Sequence, residues 1–189
     1  MARPPAASQD ELPVPLLARR AHQPIRPERA RGSHRVSPVR IEVATVADAD
    51  ALLALIKCAF TAVAGQYGDH SLPPLLETAE AFRSRFSDHI ILKALDGDRI
   101  VGTVLGVMEG DSCLVGRLAV EPESQGRGIG RALASAIEER FPDARRFELF
   151  TGHLSAETLG LYASLGYTEF RRAEASERVT LVFLEKTRD

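Results

Sequence analysis

The sequence predicts an α/β (α+β) domain: a mixed, mostly antiparallel seven-stranded sheet with helices on both faces. Three observations carry this. Seven short runs rich in Val, Ile, Leu and Phe follow one another from Val39 onward. Between them lie four longer stretches with apolar residues at helical spacing. Two Gly/Asp turns, D-G-D at 96–98 and E-G-D at 109–111, join three of the extended runs as antiparallel hairpins. The order is β-α-α-β-β-β-α-β-α-β-β.

Each element has its local reason. V-R-I-E-V (39–43) alternates apolar and polar residues, as a half-buried strand does. Thr45 stands three residues before Asp48, an N-cap pairing that opens a helix carrying Leu52, Leu55, Ile56, Ala59 and Phe60 on one stripe. G-Q-Y-G-D-H-S-L-P-P (65–74) holds two glycines and two prolines and reads as a loop. A second helix follows, with Leu75, Ala79, Phe82 and Phe86 at helical spacing. Three extended runs come next: H-I-I-L-K-A-L, R-I-V-G-T-V-L-G-V-M-E and S-C-L-V-G-R-L-A-V. A third helix runs from about Gly128 to Phe141, with Ile129, Leu133, Ala136 and Ile137 inward and Pro142 ending it. R-F-E-L-F-T is the fifth strand, and S-A-E-T-L-G-L-Y-A-S-L-G a fourth helix closed by Gly166. Y-T-E-F-R-R and R-V-T-L-V-F-L-E complete the sheet.

Composition bounds what such a domain can do. The 189 residues are 44% hydrophobic and 26% charged, the mix of a soluble globular chain. No apolar run approaches the roughly 18 residues of a membrane span. The net charge of -2 argues against a general nucleic-acid binder. The two cysteines, Cys58 and Cys113, form no CxxC pair, and the histidines show no ligand spacing, so no metal site is expected. A reducing, cytoplasmic setting fits. Residues 1–38 differ from the rest: seven of the eleven prolines and seven arginines stand against only Asp10, Glu11 and Glu28. Such a segment cannot bury enough surface to offset chain entropy. It is expected to be a disordered tail, with the folded domain at 39–189. An arginine-rich contact arm, with a nucleic-acid-associated role for the chain, is the sharper alternative.

The most informative segment is R-L-A-V-E-P-E-S-Q-G-R-G-I-G-R-A-L (117–133). A strand ends at Val120, Pro122 breaks the ladder, and glycines at 126, 128 and 130 lead into a helix. Glycines there let a phosphate approach backbone N–H groups that have no helical partner. Arg127 and Arg131 can add charge-assisted contacts. The dinucleotide fingerprint G-x-G-x-x-G fails, since the last position is Arg131 or Leu133, and no G-K-[ST] of a P-loop exists. What matches is Q-x-x-G-x-G at Gln125, Gly128 and Gly130, directly after L-A-V.

With that motif the chain resembles the GNAT superfamily of acetyl-CoA-dependent N-acetyltransferases, over roughly residues 39–189. L-Y-A-S-L-G-Y (161–167) resembles a second family segment, L-Y-x-x-L-G-[FY]. The resemblance implies a sheet whose fourth and fifth strands splay, with acetyl-CoA as acetyl donor in the gap and no metal. Backbone groups of Leu118, Ala119 and Val120 would pair with the pantetheine arm, and an N–H near Val120 would stabilise the oxyanion. The run Gly126, Arg127, Gly128, Ile129, Gly130 and Arg131 would hold the pyrophosphate, and Gln125 would fix the loop. Ser155 stands where many relatives carry an asparagine that touches the pantetheine arm; its hydroxyl would reach the arm or cap the helix.

For the chemistry, the resemblance makes Tyr162 the general acid for the leaving thiolate. The fourth-strand glutamate of one branch is Leu114 here, so the base passes to Glu148, on the fifth strand as in another branch, though two residues further from the tyrosine than that pattern has it. His153, or water and backbone carbonyls, are the alternatives, and Glu148 can equally be a solvated strand residue. In the 65–74 loop, Asp69 could hold an acceptor ammonium and Tyr67 its carbon stem, or Asp69 could simply be a loop residue. The expected partners are acetyl-CoA and a primary amine of a small molecule or peptide, without membrane or nucleic acid, and with self-association into a homodimer left open. A non-catalytic acyl-CoA sensor of the same fold is the alternative function.

Overall fold

A computed structural model of the protein describes residues 39–188. The expected tail at 1–38 lies outside the described residues. β1 (Arg40–Val43) is followed by α1 (Ala49–Tyr67), α2 (Pro73–Leu76) and α3 (Ala79–Ser84). Then come β2 (Ile90–Asp96), β3 (Arg99–Glu109), β4 (Ser112–Val120), α4 (Ile129–Glu139), β5 (Arg146–Gly152), α5 (Ala156–Ser164), β6 (Thr168–Glu174) and β7 (Thr180–Thr187). The seven strands form one sheet in the order β1-β2-β3-β4-β5-β7-β6. Every neighbouring pair is antiparallel except β4–β5. The predicted sheet is present, with helices on both faces.

Strand alternation divides the apolar residues into two cores. Leu52, Ile56, Phe60 and Phe82 of the α1–α3 layer pack on Ile91, Leu105, Ala119 and Phe150. Leu133, Ile137 and Tyr162 of α4 and α5 pack on Leu92, Val104, Leu118, Phe147 and Leu149 of the other face. Adjacent residues of one strand thus face opposite layers, which fixes where each candidate site residue can point.

The helical layer differs from expectation in two places. Thr45 does meet Asp48: its amide and hydroxyl donate to Asp48 Oδ2 at 2.8 and 3.1 Å. Lys93 Nζ donates to both carboxylate oxygens at 2.9 Å, tying the helix start to β2. Burial opposes the Asp48 charge, yet the bonds from Lys93 and Thr45 hold its carboxyl below the usual value. α1 then runs on to Tyr67, through the first part of the expected loop, because Val63, Ala64 and Tyr67 are buried and continue the apolar stripe. Burial there outweighs the roughly 1 kcal/mol that Gly65 costs a helix. Gly68 ends it in the left-handed region at φ 62°. The single second helix is in fact two. Glu77 is extended (φ -61°, ψ 129°), and Thr78 caps α3 by accepting from the Ala81 N–H at 3.1 Å.

Two irregularities of β4 shape the site. Its register against β3 shifts between Thr103 and Leu105, leaving a bulge at Arg117 and Leu118. Arg117 has φ 52°, alone in that region among the described non-glycine residues. Against β5, only Ser112↔Arg146, Cys113↔Phe147 and Leu114↔Glu148 are paired. Beyond them the two strands part, as the resemblance implies.

Candidate active site

Where β4 and β5 part, a cleft of about 320 Å³ opens, lined by Val120, the glycine-rich loop, the first turn of α4, and Glu157 and Leu161 of α5. That size suits a small-molecule site. The loop is built locally. Pro122 opens a 3-10 turn, Pro122–Ser124. Gln125 then folds back so that its Nε2 donates to the Val120 carbonyl at 3.1 Å. Gly126 and Gly128 take φ 75° and 79°, and a Cβ built on either would meet nothing within 4 Å. Space is thus not what excludes a side chain; the positive φ is what demands glycine.

Gly128 is the N-cap of α4, and the Ala132 N–H donating to the Gly128 carbonyl at 3.0 Å is the first helical bond. The N–H groups of Ile129, Gly130 and Arg131 therefore have no helical carbonyl, at residues that line the cleft. Free donors and the positive end of the helix dipole suit a phosphate group. On β4, the Glu121 N–H donates to the Val101 carbonyl at 2.9 Å. By alternation the Val120 N–H turns away from β3 and toward the gap. Leu118 and Val120 place their side chains in the α4/α5 core and Ala119 in the opposite core. Only their backbones are left to address a ligand.

The two arginines of the loop diverge. Arg131 lines the cleft and donates from Nη2 to Ser164 Oγ at 2.5 Å. Arg127 is not brought to the cleft: its Nη1 donates to Asp96 Oδ2 at 2.7 Å across the β2–β3 turn. On α5, Ser155, Thr158 and Tyr162 share one face at helical spacing. Their hydroxyls, and that of Thr151 on β5, are buried with no hydrogen-bond partner. Ser155 therefore does not cap the helix. Buried unpaired hydroxyls are uncommon in native folds; these four residues lie behind the cleft and are not part of its lining. Burial pushes the Tyr162 phenol well above its usual value, which keeps it protonated.

Comparison with known proteins gives a family match over part of the chain and a shared fold over most of it. Residues 87–169 match the family model described as acetyltransferase (GNAT) domain. Over that stretch the chain is similar to GNAT acetyltransferases. Among solved structures, similar folds include the Brucella melitensis ribosomal-protein-alanine N-acetyltransferase (24% identity, TM-score 0.63, covering 78% of this chain and 99% of that one). They include YncA of Salmonella typhimurium, a putative acetyltransferase with its cofactor acetyl-CoA (19%, TM-score 0.65, 81% and 95%). They also include the PaiA N-acetyltransferase of Thermoplasma acidophilum in complex with coenzyme A (14%, TM-score 0.66, 80% and 100%). No curated protein matches the chain by sequence.

Neither candidate base, Glu148 nor His153, lines the cleft. Glu148 lies at the last closed register position, opposite Leu114, before the strands part. Its neighbours Phe147 and Leu149 face the Tyr162 core, so Glu148 itself faces the other layer. There it pairs with Arg146 Nε at 3.3 Å, and it does not line the cleft. His153 is no free loop residue either: its Nδ1 lies 3.2 Å from both the Thr180 carbonyl and the Thr180 N–H. Its ring packs on Tyr67 at 5.6 Å. The Tyr67 hydroxyl accepts from the Leu154 N–H at 2.8 Å. Asp69 is occupied by Ser71, through hydroxyl (2.6 Å) and amide (2.9 Å), and by the Ser176 hydroxyl (3.2 Å). The bonds from Ser71, foremost, hold its carboxyl below the ordinary value. The loop-residue alternative for Asp69 is thus the one realised. Residues that sequence reasoning missed are Glu157 and Leu161, which line the cleft, and Thr151 and Thr158. A helical wheel on Tyr162 brings Thr158 to its side, and Glu157 with Leu161 to the neighbouring one. No local pattern brings Thr151.

Proposed function

We propose that the protein transfers an acetyl group from acetyl-CoA to a primary amine of a small molecule or peptide. The observation that carries this is the glycine-capped N-terminus of α4 opening onto the same gap as the Val120 N–H. Backbone donors of Ile129, Gly130 and Arg131 would hold the pyrophosphate, with Gln125 fixing the loop. The Leu118, Ala119 and Val120 backbone would align the pantetheine arm, joined by the Ser155 hydroxyl. The Val120 N–H would polarise the thioester carbonyl and stabilise the oxyanion. Tyr162, kept protonated, would deliver its proton to the departing sulfur. Glu148, which faces the α1–α3 layer rather than the cleft, would take the proton from the amine, with water and backbone carbonyls as the alternative. Among the described residues no helix is long and apolar enough to cross a membrane, and the proposed setting is the cytoplasm.

The absence of a carboxylate at the β4 position held by Leu114 also favours a second reading, an acyl-CoA sensor without turnover. One experiment separates them. Melting temperature is measured with CoA and with acetyl-CoA, then thiol release across a panel of amines. Stabilisation by both with amine-dependent thiol release supports the transferase. Stabilisation with no release from any amine supports the sensor. No stabilisation by either removes both.

A further inference from the structure

A buried ion pair lies on the α1–α3 side of the strand that carries Val120. Arg117 donates from Nε and Nη2 to Glu77 Oε2 at 3.2 and 3.1 Å. The two side chains are only 4% and 5% exposed. The other oxygen of Glu77 accepts from Arg85 Nε at 2.6 Å. Each end of the pair sits where the backbone is irregular. Glu77 occupies the extended break between α2 and α3. Arg117 occupies the β4 bulge with φ 52°. A non-glycine residue stays in that region only where its surroundings over-determine it, and the two-donor contact of Arg117 with Glu77 Oε2 is such a surrounding. Three residues later the Val120 N–H faces the gap, and the path of β4 through the bulge sets its direction.

We propose that the Arg117–Glu77 pair is a positioning latch that couples the α2–α3 segment to the β4 bulge and so aims the Val120 N–H. The cleft occupies the α4/α5 side of the gap, which leaves the α1–α3 side for an acceptor to approach. An acceptor pressing on the α2–α3 wall would press, through Glu77, on the strand that polarises the thioester. The catalytic consequence rests on the acetyl-transfer reading; the coupling itself does not.

Hydrogen exchange followed by mass spectrometry tests the coupling on the full chain, with CoA as the probe ligand. Glu77→Gln should speed exchange about tenfold in both segments 73–86 and 115–121, while β2 and β7 keep wild-type rates. Faster exchange in 73–86 alone would overturn the proposal, because Glu77 would then pin only its own segment. Acceleration throughout β2 and β7 would overturn it too, since the pair would merely carry global stability. Arg117→Lys keeps a buried cation, loses the fork, and is read by the same criteria if Glu77→Gln does not fold. With an amine that turns over, either variant should lower kcat by on the order of tenfold to a hundredfold, with the KM for acetyl-CoA within about threefold. An unchanged kcat alongside coupled exchange would overturn the aiming role. A chain that binds no CoA and acetylates nothing instead refutes the acetyl-transfer reading, and the exchange pattern still decides the latch.

Discussion

Tyr162 has a ring packed like any core aromatic, edge-on to Tyr167 at 5.5 Å, and a hydroxyl with no partner in the protein. The two parts can be separated by one substitution. Tyr162→Phe keeps the ring and deletes a buried donor that makes no hydrogen bond, so the fold has no bond to lose and a desolvation cost to shed. Melting temperature should hold or rise, and CoA affinity should stay within a few-fold by calorimetry. Thiol release at saturating acetyl-CoA should fall by on the order of 10²–10⁴, toward the lower end because CoA thiolate is a fair leaving group. An unchanged rate would leave Tyr162 a packing residue. The helix that carries Tyr162 was legible in the sequence because L-Y-x-x-L-G is a local motif on one helix. The fate of Glu148 was not, because two residues along a strand decide whether a side chain lies in the open gap or the closed ladder. Arg117 and Glu77 were equally hidden: each is an ordinary surface type, and only tertiary packing buries one against the other.

At the scale of elements, the α4 N-terminus is the most exacting. Gly128 is left-handed, lines the cleft, and has open space where a Cβ would stand. Gly128→Ala should cost about 1–2 kcal/mol from backbone strain alone, read by chemical unfolding. Gly128→Glu adds a carboxylate where phosphate would sit, and should abolish stabilisation by CoA while the fold survives. Retained CoA binding in that variant would move the cofactor elsewhere. A second element contact is equally tight: a Cβ on Gly152 would land on the Tyr67 hydroxyl. Gly152→Ala should destabilise by roughly 1–3 kcal/mol through overpacking. Tyr67→Phe should recover part of that loss in the double variant, and additive losses would disprove the clash. The strands, α4 and α5 were legible because alternation, glycine turns and Pro142 are local signals. The helical layer was less so. The stripe Leu75, Ala79, Phe82, Phe86 keeps its spacing across the break at Glu77, so periodicity could not reveal it. The Gly/Pro content of 65–74 hid the last turn of α1, which burial sustains.

Across the whole molecule, three buried acids share the α4/α5 core. Burial raises the Tyr162 and Tyr167 phenols far above the ordinary value of 10.0, with Glu138 adding to Tyr167. It raises the Cys113 thiol from 9.0 to about 12. The folded state therefore keeps protons that the unfolded chain releases. Their stabilising effect is complete below those ordinary values and is lost as pH rises. Unfolding free energy should start to fall near pH 9 and fall faster beyond 10, by roughly 1.4 kcal/mol per pH unit for each group then titrating in the unfolded chain. Denaturant titrations from about pH 8 to about pH 11 check this, and Tyr162→Phe should flatten the upper limb by one share. The short β4–β5 ladder has a wider consequence. Three register pairs join β1–β4, with α1 and α4 packed on them, to β5–β7, so the sheet is sutured along one line rather than woven throughout. A ligand lying in that line would act as the missing stitches, and affinity and cooperativity of unfolding would become one quantity. CoA should then slow amide exchange in β6 and β7, none of whose residues lines the cleft, by fastening the half-sheet to which they belong.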